Sequence, residues 1–217
     1  RTCWRSRFAT MTLGEASGSS TPEAIVAIMS KLLTDLVARN DQFPLIPSQV
    51  TPFHSSTPPA ISVKSYLEDR ILKYAGCSEE TFILALIYMD QVVQFNPDFV
   101  ICSLNVHRLL ITSIMLASKF FDDVYYNNAY YARVGGISNT EVNSLEMEML
   151  RMISFSLFVE PEAYERYRRS LYSHVRAGSL QGVPSALPAM GFSSATQAQV
   201  ISLHRALMPS AKPLIKC

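Results

Sequence analysis

Leu104 to Phe121, LNVHRLLITSIMLASKFF, is the stretch that most narrows what this chain can become. Leu109, Leu110, Ile111, Ile114, Met115, Leu116, Ala117 and Phe120 surround the axis of any helix drawn through it, and cover more of the circumference than a surface helix leaves to water. Such a helix must be enclosed by others. No strand-like alternation of useful length occurs elsewhere, so the expected class is all-α, with five helices bundled around a buried third one. Asn105, His107, Arg108 and Lys119 interrupt the run, which falls short of the ~18 apolar residues of a membrane span, so no membrane partner is expected.

The surrounding helices announce themselves through their ends. Thr21 before Pro22 and Glu23 marks a start, and Ile25, Ile28, Met29, Leu32, Leu33, Leu36 and Val37 keep helical spacing to about Arg39. Prolines at 44, 47, 52, 58 and 59 then break any regular element and predict an extended strap. Ser62 caps a helix that Gly76 stops, and Ser78, with Glu79 and Glu80 at the positive end of the dipole, caps another that ends at Asn96 and Pro97. Beyond the central helix come a short tyrosine-rich helix from Asn127 to Arg133, closed by Gly135 and Gly136, and a helix from Ser138 to Ile153 with Glu141 completing a capping box. A last helix begins at Pro161 and runs through Tyr164, Tyr167 and Leu171. The expected organisation is a disordered N-terminus (1–20), a helix and Pro-rich strap (21–60), the helical bundle (61–159), a C-terminal helix (160–177) and a disordered tail (178–217).

Charge and cysteine usage exclude several functions. Residues 61–159 hold 7 Lys/Arg against 11 Asp/Glu, a net charge of −4, which argues against a nucleic-acid partner. Cys3, Cys77, Cys102 and Cys217 never pair as CxxC, matching neither a metal ligand set nor a disulfide scaffold, so no metal and no cofactor is expected. With no apolar signal segment in RTCWRSRFAT, the chain reads as intracellular, cytoplasmic or nuclear. The chain opens on Arg1 with its first methionine at Met11, which reads as a fragment or an over-extended frame. His107 near Cys102 lacks the orienting acid a nucleophilic pair needs, and nothing else suggests an enzyme.

Two charges stand out against this apolar background. Lys119 falls in the last turn of the central helix, where the dipole favours a cation by about 0.3 to 1 kcal/mol, and Glu146 falls mid-way along the helix from Ser138. The pair can hold one rim of an apolar groove. Asp90 lies on an otherwise apolar helix, where an unpaired carboxylate would be costly. Tyr125, Tyr126, Tyr130 and Tyr131 suit either a binding patch or a wedge driving the short helix into the bundle.

Four segments, SYLEDRILKYAGCS at 65–78, IYMDQ at 87–91, SLNVHRLLITSIMLASKFFDDVYYNNAYYARVGG at 103–136 and LEMEMLRMISFSL at 145–157, together resemble the cyclin box. The resemblance is strongest to the small single-box cyclins of the phosphate-pathway and plant P/U type. It implies a non-catalytic subunit that binds and activates a cyclin-dependent protein kinase in cell-cycle or nutrient-response control; the alternative is a cyclin-fold transcription or adaptor protein. It also implies kinase contact through Lys119 in ASKF, Phe120 beside it, Glu146, and the pair Phe155 and Leu157. Asp90 becomes a structural acid paired with Arg70 or Lys64. Two departures from the family stand out: ISVKSYL replaces the tryptophan-bearing substrate-docking segment of cell-cycle cyclins, and SYLEDRIL holds one residue more than the usual spacing.

Overall fold

The computed structural model describes residues 21–176, and the readings for 1–20 and 178–217 lie outside it. The described chain is all helical, with no strand. Helix α1 (Pro22–Asn40) is followed by the strap, whose only regular element is a 3-10 turn (Pro47–Gln49). Helix α2 starts as one α-turn (Val63–Ser65) and continues as a π-helical segment (Tyr66–Leu72). Then come α3 (Glu79–Phe95), α4 (Val106–Phe121), α5 (Asn128–Gly135), α6 (Asn139–Met152) and α7 (Pro161–Arg176).

The serine and asparagine caps fall where the sequence puts them, whereas Thr21 starts α1 without a side-chain cap bond and Ser138 forms only its own half of the expected capping box. Ser62, Ser78, Asn127 and Ser138 each accept a backbone N–H three residues on, which satisfies one of the donors every helix start leaves open. Gly136 ends α5 at φ 72°, in the left-handed region that a glycine enters without a Cβ penalty.

Helix α4 is the enclosed centre: Val106 to Ser118 are buried except Arg108, and α3 lies against it with every residue from Thr81 to Val92 buried. Helices α1, α2, α5 and α6 complete the ring. Helix α7 closes the far side of α3 with Tyr164, Tyr167 and Leu171 in the core, and Arg168 meets Glu79 at 3.3 Å. The strap is pinned to the loop before α4. Ser55 donates from both N and Oγ to the Leu104 carbonyl, and the buried Asn105 amide donates to Val100 and accepts from Cys102 N.

The π-helical turn of α2 falls on SYLEDRIL, the segment that the resemblance marks as one residue longer than usual. Opening i→i+4 bonds to i→i+5 absorbs one insertion locally, so the buried set Tyr66, Leu67 and Ile71 still faces the core. Tyr66 then reaches across to donate to the Gly135 carbonyl at 3.1 Å and packs edge-on against His107.

Candidate functional site

Lys119 and Glu146 come together. Helix α4 delivers Lys119 in its last turn, α6 delivers Glu146 from its middle, and Lys119 Nζ donates to Glu146 Oε1 at 2.5 Å. Both are largely enclosed by their neighbours, with side chains 29% and 17% exposed, so their attraction is less screened than that of a surface pair. A third residue closes the arrangement. Asn128, first in α5, accepts from Lys119 Nζ at 2.8 Å through Oδ1, and its Nδ2 donates to Glu146 Oε2 at 2.7 Å and to Asn143 Oδ1 at 2.7 Å. Lysine, glutamate and amide thus hold one another in fixed rotamers. Sequence reasoning missed Asn128, although the Asn-Asn pair at 127–128 carried a signal: one asparagine suffices for the cap, which leaves the other for a different task.

Apolar side chains stand exposed near this cluster in the chain. Phe120, next to Lys119, is 40% exposed; Met147, next to Glu146, is 43% exposed; Phe155, just beyond α6, is 61% exposed. Phe155 and Ser154 both have positive φ, 56° and 51°, which costs non-glycine residues about 1 to 3 kcal/mol each. That turn is held by Phe155 N donating to the Leu150 carbonyl at 2.7 Å. It turns a large ring out to solvent at the expense of backbone strain. Leu157 is placed differently: its side chain packs partly on the core and its carbonyl accepts from buried Tyr88 at 2.8 Å.

Asp122 was also missed. It ends α4 and accepts from Ser78 Oγ, Thr81 Oγ1 and Ser118 Oγ at 2.8, 2.8 and 2.9 Å, which locks the end of α4 to the start of α3. This lock fixes the turn that carries Lys119.

The expected Asp90 and Arg70 pair is not formed. Asp90 is fully buried inside α3, where Gln94 Nε2 donates to it at 2.6 Å, and burial followed by the Asp90 charge holds the Tyr167 phenol far above its ordinary range. Arg70 sits on the outer side of α2 and donates to the Arg133 carbonyl at 3.2 Å, serving the end of α5, while Lys64 is exposed. Asp90 therefore faces the helix after the bundle rather than α2. The tyrosines divide their roles: Tyr131 is fully buried as a wedge, while Tyr126 stacks on Tyr130 at 3.9 Å on the exposed side.

Nucleophilic chemistry finds little support among the described residues. Burial, then the Asp122 charge, pushes the Cys77 thiol up to about 12, so it is protonated and inert near neutrality. Burial raises the Cys102 thiol as well, and His107 donates through Nε2 to the Ile61 carbonyl at 3.0 Å. No group of three or more His, Cys, Asp or Glu among the described residues could hold a metal ion, and no described helix is long and apolar enough to cross a membrane.

The family model described as Cyclin matches residues 23–157, a span that takes in α1 and the strap as well as α2 to α6. Cyclin-U4-1 of Arabidopsis thaliana is 44% identical over 158 residues, 71% of this chain and 78% of that protein. Cyclin-P4-1 of Oryza sativa subsp. japonica is 45% identical over 157 residues, 70% of this chain and 74% of that protein. Cyclin-P3-1 of the same species is 50% identical over 117 residues, 54% and 49% of the two chains.

Proposed function

Because this chain belongs to the cyclin family, we propose that it is a non-catalytic regulatory subunit that binds a cyclin-dependent protein kinase inside the cell and holds it active. The observation that carries this reading is the hydrogen-bonded cluster of Lys119, Glu146 and Asn128, with exposed Phe120 next to Lys119 in the chain and exposed Phe155 just beyond the helix that carries Glu146. A protein kinase transfers phosphate only while the lysine of its β3 strand pairs with the glutamate of its αC helix, so whatever keeps αC inward controls the reaction. Lys119 offers ammonium donors and Glu146 carboxylate acceptors to the backbone of such a docked element. Phe120 and Phe155 are the apolar anchors, and Leu157 supports their turn from the core side. The chemistry then belongs wholly to the kinase, and this chain supplies only the bias.

That bias is within reach. Moving a kinase from about 1:99 to 99:1 in favour of the active form takes about 5.5 kcal/mol, and a standard interface of ~800 Å² per partner supplies it through a few well-packed anchors. The purified chain, used as bait in an extract, is expected to retain a cyclin-dependent kinase and to stimulate its phosphoryl transfer. Failure to retain one, or retention without stimulation, would overturn the reading. The Phe155→Ser variant, altered at an exposed ring, is expected to fold as the parent does and to capture the kinase about tenfold less well.

A further inference from the structure

His54, in the strap, meets a hydrogen-bond donor at each of its ring nitrogens. Asn105 Nδ2 lies 3.0 Å from Nε2, and Thr51 N lies 3.0 Å from Nδ1. The orientation of the Asn105 amide is fixed from two sides, since its Oδ1 accepts from Cys102 N at 2.9 Å and its Nδ2 also donates to the Val100 carbonyl at 2.7 Å. It cannot turn over without losing both. The neutral ring answers this setting with its proton on Nδ1, directed at Thr51 Oγ1 3.1 Å away, and its lone pair on Nε2, which accepts from Asn105. The doubly protonated ring has no lone pair left, and sets N–H against N–H on both sides.

The bond from Asn105 to His54 ties the strap to the loop that enters α4, and two buried rings lie under the tie. Phe99 of that loop packs edge-on against both His54 and Phe53, with ring centroids 5.9 and 6.3 Å apart, and Phe53 and Phe99 are 0% and 3% exposed. The strap's other polar hold here is Ser55, through N and Oγ to the Leu104 carbonyl. The titratable groups on the surrounding elements are Arg39 and Asp41 at the end of α1, Asp98 and Cys102 on the loop, His107 on α4 and Lys64 at the start of α2. Asp41 is held by Ser103 N, and His107 by the Ile61 carbonyl. Burial depresses the His54 imidazole below its ordinary range, the Thr51 backbone offsets part of this, and none of those charges enters.

We propose that His54 is a proton-operated latch: neutral, it holds the strap on the loop that enters α4, and protonated, it lets go, so that the strap lifts and bares Phe53 and Phe99. The hold is complete above 6.5, the ordinary imidazole value, and is lost as acid carries the ring through its lower value in the folded chain. Nothing in the latch rests on the kinase reading. It lies at the opposite end of α4 from Lys119, about 20 Å along the helix.

Hydrogen exchange of the full chain, read by mass spectrometry over residues 50–60 and corrected for its intrinsic dependence on pH, tests the latch. Between about pH 7.5 and about pH 5, exchange in this segment is expected to quicken about tenfold while α3 stays protected. His54→Gln, which carries a neutral acceptor toward the place of Nε2, is expected to keep the strap closed at both values and to leave kinase capture unchanged. In the parent, the His54 ring C–H signals are expected to titrate below 6.5, with the Ser55 amide signal following at the same midpoint. Equal exchange at the two pH values, or a Ser55 amide that does not follow the ring, would sink the proposal. So would an acid response that His54→Gln keeps in full, which assigns it to His107, and so would loss of α3 protection at the same midpoint, which means unfolding of the whole bundle. If the variant instead loosens the strap at both values, the parent's own titration decides.

Discussion

A chain carrying Lys119→Glu and Glu146→Lys together is expected to lose kinase capture by at least about 100-fold, or roughly 2.7 kcal/mol, while unfolding at nearly the parent's urea midpoint. The separation of the two effects follows from the geometry. Within the chain, the exchanged ions can pair again across the same gap between α4 and α6, and Asn128 serves them once its amide turns over to accept from the new ammonium and donate to the new carboxylate, with the exposed Asn143 amide turning over alongside it to keep their shared bond. The remaining intrachain penalty is a carboxylate at the negative end of the α4 dipole, about 0.3 to 1 kcal/mol. Across the interface nothing turns over. A partner backbone that offers a carbonyl to Lys119 and an N–H to Glu146 meets the wrong sign at both points, and burying mismatched charges costs about 2 to 5 kcal/mol. Capture and kinase stimulation that survive the exchange would show the proposed face to be wrong. A midpoint that falls with capture would show that the exchange acts through folding instead.

The bundle was legible because its signals are local. Capping serines at 62, 78 and 138, the apolar circumference of 104–121 and the stop at Gly136 each act within a turn or two of chain, and each appears at its expected place. The Lys119 and Glu146 pairing was legible for a different reason, that two charges in apolar surroundings have few other places to go. What stayed hidden depends on contacts distant in sequence. Nothing near Asn128 says that α5 will lay it between helices α4 and α6. Nothing near Arg70 says that the π-helical turn it belongs to will leave its guanidinium at the end of α5, 63 residues on, instead of beside Asp90. The one extra residue in SYLEDRIL was visible, but its consequence was not: whether an insertion loops out, shifts the register or widens a turn is decided by Tyr66 and its neighbours in the packed core. The span of the family match adds α1 and the strap, which periodicity and prolines alone set apart from the bundle.

Asp122→Ala is expected to cost about 3 to 4 kcal/mol of folding stability, the largest loss from any single polar residue discussed. One carboxylate there answers three hydroxyls, and two of their owners are out of water's reach, Thr81 at 0% exposed and Ser118 at 1%. Removing it leaves those hydroxyls without their acceptor, at about 1 kcal/mol or more apiece, while the lost charge at the positive end of α3 is offset by relief at the negative end of α4. Ser78 loses least, because its hydroxyl can donate instead to Thr81 Oγ1, 3.0 Å away, and is itself within reach of water. Asp122→Asn separates the contributions: one carboxamide oxygen can still accept a hydroxyl, so roughly half the loss is expected. Urea unfolding of the two variants measures this directly, and a loss below about 1 kcal/mol for Asp122→Ala would show that the lock between α3 and α4 is not what holds the end of α4. Because that end carries Lys119 three residues earlier, the kinase reading makes a linked demand. Under conditions where the Asn variant remains folded, its kinase capture should weaken in step with the loosening of that turn, whereas a substitution elsewhere in α3 of equal stability cost should leave capture intact.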